Sequence, residues 1–420
     1  MPDRTVPLQA TLTALDELDL QEDLEHFAAR HWSLPNQPLE GLDALLLGPA
    51  TPATSPYDLA VGLDWGKNRF GPLLGAAPPE AWQRLLRRSM RRRLRQVLHR
   101  YHGPGVSAAT RSRYRITLVW DITTLLKVGE MLGLADLFYS GLLKRPAHSI
   151  EVVMLYALVG EDYLCLPLDF RLRKPDPKGP GHPCLNGMEL AQKMLEDLHH
   201  TMRVHFLQLD GHYLVADAWF TDGQRLKRAR QMGLIPIVRG KTSFVFEGTL
   251  VGHPFHGALS QTVLTQTRWP WKRSPQASNV PYVRLKMTSE TFGPVALTVC
   301  AWPGEKTPGY LICLAPEVAS PRLIRAYGRR PWIEACFGVC KTTLRLEQFK
   351  FRSPGGIYGF IALRLLSFAL FDYAGRRVLH GRFSGGQIIR MLRYHGTLWL
   401  KQLLENKALS AEVFANRLAA

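Results

Sequence analysis

Cysteine is scarce, acids are outnumbered and long apolar runs are missing. Six cysteines in 420 residues (Cys165, Cys184, Cys300, Cys313, Cys336, Cys340) are no disulfide scaffold, and a reducing cytoplasm fits. There is no Cys-x-x-Cys pair, and His182 with Cys184 stands alone, so structural zinc, which needs four converging ligands, is not expected. No run reaches about eighteen apolar residues. The best stretch, Ile361 to Phe371, is short and holds Arg364, so no membrane span is expected. Asp3 and Arg4 stand where a secretory signal would need an apolar core, so secretion is not expected either. Lys and Arg number 53 against 35 Asp and Glu, a net of +18. Residues 1–50 hold nine acids and two bases, so the remaining chain is more basic still. Such a field attracts polyanions, of which nucleic acid is the commonest in a cytoplasm. With 46% hydrophobic residues the chain has material for a sizeable core, which excludes global disorder. Its length allows two or three domains.

Leu and Ala recur at helical spacing from Leu8 to Phe27. Gly48 to Pro56 and Gly71 to Pro79 read as linkers or turns. Trp82 to Arg100 then carries eight arginines and no acid. Its apolar members Trp82, Leu85, Leu86, Met90, Leu94, Val97 and Leu98 recur every three or four residues, as in an amphipathic helix. Arg84, Arg87, Arg88, Arg91, Arg92 and Arg95 are candidate contacts to a polyanion, since like charges on one helix repel unless something neutralises them.

From Tyr114 the pattern turns to strands. Arg115 to Trp120 is a β-rich run ending at Asp121. Glu151 to Leu158 and Tyr163 to Leu168 suggest a hairpin. Met188 to Met202 is helical. Phe206 to Leu209 and His212 to Ala216 are strand-like, the second running into Asp217. Asp222 suits the cap of a helix to Met232, and Ile235 to Val238 is another strand. Residues 240–312 are rich in Thr, Val, Phe and Gly and read as an all-β insertion. Helices resume near Arg322. This order resembles an α/β ribonuclease H-like core, a mixed sheet with helices, with helical N- and C-terminal regions.

In AYGRRPWIEACFGVCK, Tyr327, Arg330, Glu334 and Lys341 lie at offsets 0, 3, 7 and 14. On a regular helix these share a stripe about 60° wide. A carboxylate between cations suits metal-assisted chemistry on a phosphodiester. The bland alternative is an i,i+4 surface ion pair between Arg330 and Glu334. Pro331 suits a first helical turn better than an interior, so the regular helix could start there.

Tyr-x2-Arg-x3-Glu-x6-Lys resembles the signature of a branch of the DDE transposases of insertion-sequence family four. The following TTLRLEQFKFRS is also similar to that family. Upstream, LVWDITTLLKVGE resembles its first-Asp strand, and LVADAWFTDGQRLKRARQMGLIPIVRGK its second-Asp block. The likeness covers roughly residues 110–375. It implies a catalytic and metal-binding triad of Asp121, Asp217 and Glu334, with Asp64, Asp210 and Asp222 as weaker rivals. It implies two Mg²⁺ ions, or Mn²⁺ as a substitute, held by carboxylates from separate elements. Tyr327, Arg330 and Lys341 would contact phosphates near the cleaved end. Some members stack a flipped base on a tryptophan of the β insertion, a role open to Trp302 and, less well placed, to Trp269 or Trp271.

The resemblance implies cut-and-paste transposition in a prokaryotic cytoplasm and its nucleoid, with a homodimer on double-stranded DNA that pairs the transposon ends and joins them to target DNA. The alternatives are an inactive or domesticated DNA-binding descendant and a stand-alone metal-dependent nuclease. The expected divisions are 1–110, helical, arginine-rich and DNA-binding; 111–240, first part of the core with Asp121 and Asp217; 241–312, the β insertion; 313–375, second part of the core with Glu334; and 376–420, basic and helical.

Overall fold

The strand-rich middle of the chain folds into one ten-stranded sheet with helices packed against it. The structure is a computed structural model. It describes residues 5–33, 36–126, 134, 136–140, 143–160, 164–173, 186–241, 244–246, 249–250, 261–267, 276–303, 308–394 and 396–405. Trp269, Trp271, His182, Cys184 and residues 406–420 lie outside the described residues.

The N-terminal region is helical: α1 (Thr5–Glu17), α2 (Leu20–His31), α3 (Asn36–Leu47), α4 (Pro56–Gly62), α5 (Phe70–Gly75), α6 (Pro79–His102) and α7 (Ala108–Arg113). Ser55 accepts from the Asp58 amide and starts α4, with Pro56 in the first turn, a favourable pairing of cap and first residue. The stretch Gly71 to Pro79 is not all linker. Its first part is helix α5, fixed by buried Phe70 and Leu74. In α6 the seven apolar residues at helical spacing are all buried, as the amphipathic pattern requires.

The strands are β1 (Ile116–Leu126), β2 (Asp136–Ser140), β3 (Arg145–Val159), β4 (Leu164–Leu172), β5 (Tyr213–Ala216), β6 (Ile235–Arg239), β7 (Val245–Phe246), β8 (Thr249–Leu250), β9 (Gln261–Thr267), β10 (Gln276–Ser289), β11 (Gly293–Cys300) and β12 (Gly309–Cys313). The main sheet runs β2-β3-β1-β5-β6-β12-β11-β10-β9, with β4 also paired to β3. β3 and β4 form the expected hairpin. β1 is antiparallel to β3, whereas β5 runs parallel to both β1 and β6. Parallel neighbours need crossover connections. Helices α8 (Gly187–Val204) and α9 (Gly223–Gln231) lie in the two stretches of chain that return to β5 and β6. α8 begins with a reciprocal cap between Asn186 and Glu189, and Asp222 caps α9 as its position suggests.

Two expectations need correction. Phe206 to Leu209 is not a strand: Phe206 has φ +57° and is 97% exposed, so the chain turns there. Asp121 does not follow a strand. It lies within β1, opposite Met154 of β3. Between residues 241 and 312 the described elements are strands: β9 to β12 extend the core sheet through the pairing of β12 with β6, and β7 and β8 pair with each other in a separate two-stranded sheet.

The helices beyond the sheet are α10 (Ser320–Tyr327), α11 (Pro331–Gly338), α12 (Pro354–Tyr373), α13 (Gly385–Arg393) and α14 (Gly396–Glu405). A π-helical turn, Val339–Thr343, follows α11. With the π turn after it, α12 spans Pro354–Val378, long and apolar enough in composition to cross a membrane, and is almost wholly buried within the protein. The apolar run Ile361 to Phe371 understates it, because Gly355, Gly356, Tyr358 and Gly359 are buried too. At Gly359 a Cβ would come within 2.7 Å of the Trp82 ring, so only glycine lets α12 and α6 close up there. Arg364, the charge in the middle of the apolar run, donates to the Leu45 carbonyl at 2.6 Å and lies over the Phe360 ring.

Candidate active site

The parallel register sets the first two acids at one level. Val119 of β1 is opposite Val215 of β5. Two residues further along each chain are Asp121 and Asp217. β5 has ended by then, so Asp121 has no strand partner on that side. Asp217 caps the short helical turn Ala218–Phe220, its Oδ1 accepting from the Ala218 amide at 2.7 Å.

Arg330 and Glu334 come from the start of α11. The signature is not one continuous helix: α10 ends at Tyr327 and α11 starts at Pro331. Proline, lacking an N–H, begins a helix more readily than it continues one. The Arg330 amide donates to the Tyr327 carbonyl at 2.8 Å, so the break is a tight turn. The uniform stripe calculated for a regular helix therefore does not exist, yet the acids converge. Arg330 Nη2 is 3.6 Å from Asp121 Oδ2 and 3.3 Å from Asp217 Oδ2, and Nη1 is 2.7 Å from Glu334 Oε1. One guanidinium thus contacts three carboxylates from three separate elements. The i,i+4 pair is real, but it is part of a larger cluster rather than a solvated surface pair.

Exposure is graded across the cluster. Asp121 is buried, the Asp217 side chain is 41% exposed and that of Glu334 58%. Burial pushes the Asp121 carboxyl up to about 7, against the pull of Arg330. Burial also works against the Arg330 charge, but Asp121, Asp217, Tyr327 and Glu334 outweigh it and hold the guanidinium charged more firmly than usual.

Tyr327 is 6% exposed, and burial raises its phenol above the ordinary range. Among the described residues, Tyr327 Oη and Arg330 Nε are buried and without a hydrogen-bond partner. Trp302, half-buried after β11, packs near Tyr327 with ring centroids 6.2 Å apart. Lys341 lies in the π-helical turn and turns elsewhere. Its Nζ donates to the Thr124 carbonyl of β1 at 2.6 Å and pairs with Glu347 at 3.7 Å. The other rivals stand apart in role: Asp64 pairs with Lys401, Asp222 is a helix cap, and Asp210 packs against the Gly233 turn.

The arginine helix has partners that its own sequence does not reveal. Arg91 and Arg87 pair with buried Asp169 of β4 at 3.2 and 3.8 Å. Arg92 and Arg88 pair with buried Asp23 of α2 at 2.7 and 3.0 Å. Arg95 meets His205, and Arg84 is exposed. The absence of acids between Trp82 and Arg100 therefore does not imply an external polyanion, because acids from other elements meet four of the arginines there. At the C-terminal end, Arg376 pairs with buried Asp372 at 2.7 Å and Arg393 donates to the Pro49 carbonyl at 2.9 Å.

Three residues at the site were not singled out in the sequence. Arg239, at the end of β6, is close enough to act electrostatically on Tyr327. Glu347 receives Lys341 and accepts from the Leu126 amide at 3.4 Å. Trp219, two residues after Asp217, is 44% exposed. A tryptophan beside a strand-end acid was the available signal for the last.

Residues 188–370 match the family model described as a transposase DDE domain. That span contains Asp217 and Glu334 and begins after Asp121, so the geometry above is what joins Asp121 to the other two. Among solved structures, a cryo-EM structure of piggyBac transposase in a synaptic complex with hairpin DNA is similar at 12% identity, with a TM-score of 0.46 over 97% of this chain and 82% of that one. No curated protein matches the chain.

Proposed function

We propose that the chain is a DNA transposase of the Tyr-Arg-Glu-Lys branch of insertion-sequence family four, acting by cut-and-paste. The observation that carries this reading is the convergence of Asp121, Asp217 and Glu334 on Arg330. The strand order β4-β3-β1-β5-β6, three antiparallel strands followed by two parallel ones, supports a ribonuclease H-like core. The matching family model supports transposition over an unrelated metal nuclease.

The donor chemistry suits hard divalent cations such as Mg²⁺: three carboxylates, all oxygen, around one point of positive charge. Among the described residues no three acidic, His or Cys side chains stand close enough to hold an ion unaided, and the Arg330 guanidinium contacts all three acids. In this reading Asp121, Asp217 and Glu334 hold the metal. When bound, it offsets charge on the phosphate and lowers the barrier to in-line displacement. Tyr327 Oη and Arg330 Nε, two buried groups without an acceptor among the described residues, bind a phosphate oxygen in this reading. In this reading Trp302, which packs beside Tyr327, stacks on a base. Lys341 acts through β1, fixing the signature helix three residues beyond Asp121. The partners in this reading are double-stranded transposon ends and target DNA, paired by a homodimer.

The test is incubation of the protein and Mg²⁺ with DNA carrying the inverted repeats that flank its gene. Joined products support transposition. Nicks without joining indicate a nuclease, and binding without cutting indicates a non-catalytic descendant. Asp121→Ala, Asp217→Ala and Glu334→Ala should each abolish cleavage and leave end binding intact. Full cutting by any one of them removes that residue from the site.

A further inference from the structure

We propose that Arg330 is the resident counter-ion of the carboxylate cluster and competes with divalent metal for it, so that a phosphate must draw Arg330 away before metal binds well. The proposal rests on the metal-dependent reading above and concerns how that site is controlled. A single side chain reaches all three acids at 3.6, 3.3 and 2.7 Å. It is only 13% exposed, so carboxylates rather than water balance its charge. Three carboxylates brought together without a cation repel one another. The guanidinium holds them in place, and it uses oxygens that a metal would need. The two occupants therefore exclude each other.

The arrangement also leaves Arg330 Nε buried with no acceptor among the described residues. A guanidinium fork matches phosphate in two-point geometry, so a DNA phosphate offers Arg330 an alternative partner. If phosphate takes Arg330 from the acids, phosphate and metal each promote binding of the other. Such linkage is reciprocal. The metal-free, DNA-free chain would then be self-blocked.

Mn²⁺ binding to the full chain, followed by the electron paramagnetic resonance signal of the free ion, tests this. Arg330→Gln and Arg330→Lys should each bind Mn²⁺ about tenfold more tightly than the wild type, within the usual range of coupling. Lysine keeps the charge but cannot fork to three carboxylates. If Gln tightens binding and Lys does not, only net charge matters and the bridge is overturned. If neither tightens binding, the proposal is overturned outright. In the wild type, a DNA duplex should raise Mn²⁺ affinity, and an unchanged affinity counts against it. Thermal unfolding in chelator guards against misfolding: Arg330→Gln should melt lower than wild type and recover with Mn²⁺. Should it fold in neither condition, the Lys variant decides. Adding Asp121→Asn to Arg330→Gln should erase the gain. A gain that survives places the metal elsewhere, and then the reading of the site itself fails.

Discussion

Arg91 and Asp169 lie 3.2 Å apart in the protein interior and tie the arginine helix α6 to strand β4. Arg91 also donates to the Asp197 carbonyl and Thr201 Oγ1 of α8 at 3.2 and 2.9 Å. Arg87 and Arg171 approach the same Asp169 carboxylate. One acid thus serves three arginines. Asp23 likewise serves Arg88 and Arg92 on the adjoining face of α6, joined by a 2.6 Å bond from Ser89 Oγ. The acidic N-terminal helices therefore have a structural role: part of their charge is neutralised inside the molecule.

Asp169→Ala should lower stability strongly. Removing one partner of a buried pair leaves an uncompensated charge, at a cost of about 3–5 kcal/mol. Urea unfolding measures it. Replacing Asp169 and Arg91 together by apolar residues of similar volume should recover much of the loss, since no buried charge is then stranded at that contact. A single variant as stable as wild type would show that the pair is solvated in solution.

The same distinction separates two classes of arginine in α6. Arg91→Ala should lower the melting temperature and leave the salt dependence of DNA binding unchanged. Arg84→Ala and Arg100→Ala, both at exposed positions, should leave stability near wild type. If these two contact phosphates, each loss reduces the slope of log affinity against log salt by about 0.9. Slopes identical to wild type in both variants would remove α6 from the DNA interface.

His212 supplies a pH dependence of folding. It is buried, its Nδ1 accepts from the Ile116 amide at 3.2 Å, and its ring meets His102 edge-on. Burial, then the neighbouring charges of His102 and Arg115, push it down to about 3. Its unfolded value is about 6.5. Between those values the unfolded chain binds the extra proton, so this contribution is complete above about 6.5 and is lost as pH falls toward 3, by up to about 1.4 kcal/mol per unit. Stability measured against pH should flatten over that window in His212→Asn. Parallel curves for variant and wild type would assign the acid sensitivity to other groups.

Local chemistry was legible in the sequence wherever one segment decides its own structure. The apolar stripe of α6, the β3–β4 hairpin, the Asp222 cap and the strand-end position of Asp217 all depend on near neighbours. Pro331 likewise marked the helix break. What could not be read was pairing across distance. Nothing within α6 indicates that Asp23 and Asp169 lie against it, because those acids come from α2 and β4. The destination of Lys341 was hidden for a related reason: the π-helical turn Val339–Thr343 shifts it out of the regular helical phase, toward Thr124. Phe206 misled through composition, since three apolar residues in four beside a turn resemble a short strand.

Tyr327→Phe separates folding from function more cleanly than the other substitutions. The Tyr327 hydroxyl is buried and makes no hydrogen bond among the described residues, so the folded chain bears its desolvation without return. Removing the oxygen should leave the melting temperature unchanged or raise it slightly. The ring still packs beside Trp302, so the local geometry should persist. If the hydroxyl donates to a DNA phosphate, its loss removes a bond to a charged group, about 1.5–3 kcal/mol, or roughly 10- to 100-fold in cleavage rate. Single-turnover cleavage and calorimetric melting on the same preparation give both numbers. A variant that cuts as fast as wild type would confine Tyr327 to packing, and a variant that melts much lower would show that the hydroxyl has a partner in the folded protein.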